Sequence, residues 1–281
     1  MRLLPDNQRR RVTGSHRREI AVAHRRQCSA HGFTLIELIV VLVIIGLLAA
    51  VSLPALKNVR QNNAMVSAGR QLVDDLALAR AKAISERTIV RVFFVPPTIV
   101  GMPFSSNPKD AKLQKRLITG QFTSYALYAD RTVGDQPGRG FSRYLTSWRS
   151  LPNGVLISTN KYDMGGNLND PDEFKRPFQY PTLINLFPFP TIDGDGRDIP
   201  QIVFNERGML VDIAGKPRLQ GEIIPLARGS ILYVRNETTG DVTDFDVRES
   251  PPGNASDTNS FHIVRIDGLT GRARVETKAI Y

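Results

Sequence analysis

The chain has 281 residues, 41% hydrophobic and 23% charged, a composition that suits a folded core and excludes wholesale disorder. Its net charge of +10 is unevenly placed: residues 1–32 carry eight arginines against Asp6 and Glu19, leaving only +4 elsewhere, so basicity does not mark a binding face on the rest of the chain. The single cysteine, Cys28, rules out an intrachain disulfide, and beyond Gly32 only His262 remains, which excludes a Cys/His metal cluster and leaves little scope for a histidine-based triad.

After the basic arm, Leu38 to Leu56 forms nineteen residues without a charge. As a helix from Phe33 to Leu56 it would be about 36 Å long, enough to cross a hydrocarbon core of roughly 30 Å. The arginines before it, against Lys57 and Arg60 after it, predict that the arm stays cytoplasmic. A buried core helix fits poorly because the segment is apolar all round. A cleaved secretory signal also fits poorly, since its apolar region runs to about 7–15 residues and ends at a small-x-small site that is missing here.

Residues 57–87 predict an amphipathic continuation of the helix. Val59, Val66, Val73, Leu76, Ala79 and Ala83 mark its apolar stripe, with Asp74, Asp75, Arg80 and Lys82 on the other side. Only Pro54 interrupts a helical run expected from Phe33 to about Glu86, and proline there favours a kink. Residues 88–281 read as strands between turns: 88–95, 120–130, 151–158, 200–210, 229–236, and a hairpin over 261–276 with DGLTG at its bend. The proline- and glycine-rich stretches 96–110 and 160–200 read as insertions or loops.

One residue in HGFTLIELIVV (31–41) stands out: Glu37, a carboxylate near the start of the most apolar run. At the centre of a membrane helix an acidic residue costs on the order of 2.5–3.5 kcal/mol, so its presence there asks for a partner. The pattern Gly32, Phe33, Thr34, Leu35, Glu37 and the apolar run, with Pro54 further on, resembles the N-terminus of prepilins, the class III signal of type IV pilins and type II secretion pseudopilins. The resemblance implies that a prepilin peptidase cuts between Gly32 and Phe33 and that the new Phe33 amine is N-methylated. It also implies a retained helix that anchors the subunit in the inner membrane, with the leader cytoplasmic and the head periplasmic, and later packs among other pilin or pseudopilin subunits. Glu37 would then pair with a neighbouring subunit's α-amine and help set axial register.

The segment QLVDDLALARAKAISERTIVRVFF resembles the helix-to-strand region of minor pseudopilins of the GspH/FimT group, and 148–157, 202–210 and 266–275 resemble further parts of their heads. The 32-residue leader and the two inserts depart from that pattern. The expectation is an α+β protein: leader 1–32, transmembrane helix half 33–56, amphipathic half 57–87, and an antiparallel β-sheet head over 88–281. Its expected role is structural, as a minor pseudopilin of a type II secretion pseudopilus, with a minor type IV pilin as the alternative.

Three sharper readings fall below that one. Asp193, Asp195 and Asp198 sit in a glycine-containing loop and could invite calcium, but Arg197 falls where a ligand is wanted and no matching glutamate follows, so a solvated turn is preferred. Arg272 and Arg274, two residues apart on a strand, face one way and could track phosphates, as a similar Gly-Arg-x-Arg is thought to do in DNA-uptake relatives; Glu276 on the same face opposes this. His262 alternates with apolar residues and reads as a strand residue, not a base. No catalysis, cofactor or resident metal is expected.

Overall fold

A computed structural model describes residues 34–131, 141–181, 186–255 and 261–278, without the side chains of 51–62, 261 and 278. Contacts divide the chain into two units, Met1–Ser52 and Leu53–Tyr281. Helix α1 covers Leu35–Glu86. It ends where Arg87 takes a left-handed φ of 48°, with Thr88 N–H donating to Ala83 O at 3.1 Å and Arg87 N–H to Ile84 O at 3.4 Å, the paired bonds of a Schellman stop.

The head then unfolds in chain order as β1 (Val90–Phe94), α2 (Pro108–Ile118), β2 (Ser124–Ala129), β3 (Arg143–Tyr144), β4 (Arg149–Ser150) and β5 (Val155–Ile157). There follow β6 (Phe187–Phe189), β7 (Asp195–Arg197), β8 (Gln201–Phe204), β9 (Leu210–Val211), β10 (Glu222–Arg235), β11 (Val242–Glu249), β12 (Phe261–Ile266) and β13 (Ala273–Lys278). They form not one sheet but a six-stranded sheet, β3-β2-β1-β8-β9 with β4 also on β2, and a five-stranded sheet, β11-β10-β12-β13 with β5 also on β10. A separate β6–β7 hairpin completes the set, and every pairing is antiparallel.

The stripe that α1 buries differs from the one the apolar spacing predicts. Met65, Ala68, Leu72, Leu76, Ala79 and Ala83 are buried, whereas Val66 is exposed and Val73 only half-buried; Val59 lies outside the described side chains. Small residues let the helix approach closely: a Cβ on Gly69 would come within 3.0 Å of Val275 and 3.2 Å of His262. Asp75, expected on the polar side, is buried in the same stripe. It can be there because partners meet it.

The central strand β1 is buried on both faces. Val90, Val92 and Phe94 join the core with Leu72 and Leu76 of α1, while Phe93 and Val95 point into a second core with Leu117, Ile118, Phe189 and Ile199. Ile99, Phe189 and Ile199 of that second core come from the stretches expected as loops. Residues 96–110 instead form a 3-10 turn at Pro97–Gly101 and the start of α2, whose N-cap Asn107 accepts from Lys109 N–H at 3.1 Å with Pro108 in the first turn. Within 160–200 lie a 3-10 turn at Glu173–Lys175 and the β6–β7 hairpin. Alternate residues of a strand face opposite sides, so a strand apolar on both needs a layer over each.

Candidate functional site

Gly32 and Phe33, the expected processing junction, lie outside the described residues. The structure begins beside them, at Thr34. Thr34 Oγ1 accepts from Glu37 N–H at 3.2 Å, and Glu37 Oε2 accepts in return from Thr34 N–H and from Thr34 Oγ1, each at 3.2 Å. This is a capping box, in which two N-terminal N–H groups that have no helical partner are satisfied reciprocally. Thr34-x-x-Glu37 spells that motif in the sequence, so Glu37 has a local partner that the charge argument alone missed. Both bonds from Thr34 go to Oε2; among the described residues Oε1 has no partner.

Beyond the cap, the apolar side chains of α1 are exposed on every side: Leu35 is 76% exposed, Leu42 59% and Leu48 64%. Water does not favour such a surface; at about 25 cal/mol per Å² of apolar area, covering it is strongly favourable. Among the described residues no helix is long and apolar enough to cross a membrane.

The other predicted residues are placed differently from one another. Asp193 and Asp195 belong to the β6–β7 hairpin region, where Asp193 N–H donates to Thr191 Oγ1 at 3.3 Å and Asp195 lies 3.4 Å from Arg197. Asp198 is partly buried, and among the described residues no three acidic, histidine or cysteine side chains gather as a metal site. Gly194 is required by the tight bend, since a Cβ there would sit 2.1 Å from Phe189 O. Arg274 is paired with Glu276 at 2.7 Å; Glu276 is also held by Arg265 at 2.8 Å, and Arg265 reaches Glu173 at 2.6 Å. Burial would raise Glu276, but Arg265 and Arg274 hold it below the usual carboxylate range. Arg272 precedes β13 and is exposed, and its guanidinium has no partner among the described residues. The two arginines therefore do not form one free pair. His262 lies on β12 against α1, its Nε2 buried, and burial followed by the nearby Arg228 lowers its pKa.

Residues 28–53 match the prokaryotic N-terminal methylation motif. The match spans Gly32, Phe33, Thr34 and Glu37 and supports a type IV pilin-like protein, with pilin-type processing and subunit assembly and a structural role instead of an enzymatic one. The helix followed by antiparallel sheets is consistent with a pilin-like α+β fold. No curated protein and no solved structure matches the chain.

Two buried ionic clusters escaped the sequence reading. Lys161 is wholly buried; its Nζ donates to Glu222 Oε1 at 2.5 Å and to Arg176 O at 2.7 Å, and lies 4.8 Å from the centre of the Phe178 ring. Arg218 donates to the other Glu222 oxygen at 2.5 Å. Burial would raise Glu222, yet Lys161 and Arg218 together hold its carboxyl below the usual range, while burial lowers Lys161 against the pull of Glu222. In the second cluster, Tyr125 OH donates to Asp75 Oδ2 at 2.7 Å, Gln71 Nε2 donates to Tyr125 OH at 2.9 Å, and Arg149 pairs with Asp75 Oδ1. Burial first, then the Asp75 carboxylate, pushes the Tyr125 hydroxyl up, so it stays a donor. Both clusters join elements far apart in the chain, and no local motif announces them.

Proposed function

We propose that this chain is a minor pseudopilin, a structural subunit of a type II secretion pseudopilus. A prepilin peptidase cuts it between Gly32 and Phe33 and methylates the new Phe33 amine. The helix half 33–56 anchors it singly in the inner membrane, leader inward and head in the periplasm, until it packs among other pilin-like subunits. The observation that supports this best is the methylation motif lying over a helix whose apolar side chains are exposed all round from Leu35 to Leu48. An unpartnered apolar rod needs lipid or other rods around it.

The capping box refines the part assigned to Glu37. Thr34 holds one carboxylate oxygen at the head of the helix, which leaves Oε1 to pair with the Phe33 amine of an adjacent subunit. A minor type IV pilin is the second reading, with DNA uptake as one use, and exposed Arg272 is the feature that favours it. Arg274, already tied to Glu276, weighs against a phosphate-tracking pair.

Mass spectrometry of the membrane-extracted protein tests the proposal. The expected N-terminus is Phe33, carrying a methyl group. A chain that keeps residues 1–32, or one trimmed beyond the apolar helix, would overturn the filament reading.

A further inference from the structure

Between α2, β3 and the end of β6 lies a groove of about 450 Å³. Its apolar lining is Leu113 of α2, Tyr144 of β3, Trp148, and Pro190 with Ile192 just past β6. That volume lies in the range of pockets that bury small ligands or peptide side chains, about 300–1,000 Å³. That lining is held rigidly. Trp148 Nε1 donates to Pro190 O and Tyr144 OH to Pro188 O, each at 2.8 Å; Trp148 meets Phe189 edge-on at 5.3 Å.

Arg116 and Arg143 also line the groove, both exposed, and among the described residues neither guanidinium has a partner. Among the described residues no aspartate or glutamate lines the groove; Asp110, behind Thr191, is buried. The threonine hydroxyls at its edge are already engaged: Thr191 donates to Asp110 at 2.8 Å and Thr146 accepts from Leu127 N–H at 3.0 Å. Among the described residues, the charge the groove presents to a ligand is therefore positive, beside an apolar, aromatic-anchored surface.

We propose that this groove binds an acidic, apolar peptide segment of a partner protein, seating an aliphatic or aromatic side chain on Trp148 between carboxylates paired with Arg116 and Arg143. Rigid aromatic anchors inside a polar rim are the usual architecture of a binding hot spot, and guanidinium–carboxylate pairs add direction. A single-stranded nucleic acid fits less well: it wants a continuous basic track with successive stacking platforms, whereas Leu113, Pro190 and Ile192 make much of this lining aliphatic. The inference concerns the head alone and does not depend on which filament the subunit joins.

Trp148 is the only tryptophan of the chain, so tryptophan emission reports on this groove directly. The full-length protein in non-ionic detergent is titrated with a peptide alternating aspartate and leucine, with its lysine–leucine counterpart, and with a short oligothymidylate. A saturable shift of Trp148 emission is expected with the acidic peptide, weakening as salt rises, and none with the lysine peptide. R116A/R143A, with an unchanged emission spectrum when unliganded, should bind about tenfold more weakly or worse, and R116E/R143E should prefer the lysine peptide. No response to the acidic peptide, equal affinity in R116A/R143A, or tighter binding of the oligothymidylate would each overturn the assignment.

Discussion

The first helical turns and the head invert the usual distribution of side chains. From Leu35 to Leu48, leucine, isoleucine and valine are exposed on all sides; in the unit from Leu53 onward, Lys161, Glu222 and Asp75 are buried. The difference lies in where the partners are. Each of these three buried charges meets its counter-ion and hydrogen-bond partners inside the same chain, whereas the apolar side chains of the first helical turns stay exposed. An ionic group without a partner costs several kcal/mol on burial, and an apolar surface without one drives association, so the head is self-sufficient and the rod is not.

The sharpest way to break that contrast is to remove one member of the buried cluster. Glu222→Gln should leave the Lys161 ammonium buried beside Arg218 with no carboxylate, at a cost of about 3–5 kcal/mol; denaturant unfolding followed by Trp148 emission measures it. The same carboxylate gives a pH signature. Its folded pKa is held below the ordinary 4.5, so its contribution is present above about that pH and is lost as pH falls through the depressed value. An acid limb of stability that is unchanged in Glu222→Gln would contradict the sign.

The next effect compares two leucines of one helix. Leu72→Ala empties a fully buried position under β1 and should cost about 2–5 kcal/mol, while Leu42→Ala should leave head unfolding within about 0.5 kcal/mol. Equal effects at both positions would erase the distinction between rod and head. Smaller still is Tyr125→Phe, which removes the donor to Asp75 Oδ2 but leaves Arg149 in place; about 1–2 kcal/mol is expected from the same unfolding curves. The smallest is Thr34→Ala. Loss of its half of the capping box should weaken the first turn by about 1 kcal/mol, seen as faster amide exchange at Leu35–Leu38 with the rest of the helix unchanged.

Much of this was legible beforehand, though unevenly. The strands β1, β2, β5 and β8, the second half of β10 and the β12–β13 hairpin follow from β-branched and aromatic runs bounded by turn residues; the first half of β10 and all of β11 were not expected. The α2 helix was not expected, since its first residues fall in the proline- and glycine-rich stretch 96–110 that reads as a loop. On α1 the predicted face held at Leu76, Ala79 and Ala83 but failed at Val66 and, in part, at Val73. Counting valines favoured Val66, whereas close packing favoured Ala68 and Gly69, which score poorly for hydropathy and well for fit. Nor did anything around Lys161 or Arg116 distinguish them from solvated charges.

The N-terminal motif, the helix behind it and its cap are determined within the sequence itself, because apolarity, capping and cleavage signals act over a few neighbouring residues. The burial of Asp75 against Tyr125, the Lys161–Glu222 pair and the groove under Trp148 were decided only by the tertiary structure. Their partners lie 50 and 61 residues apart in the first two cases, and the groove joins α2, β3 and the end of β6. An interaction between distant segments takes its energy from the geometry that brings them together, and a local pattern of residue types contains no record of that geometry.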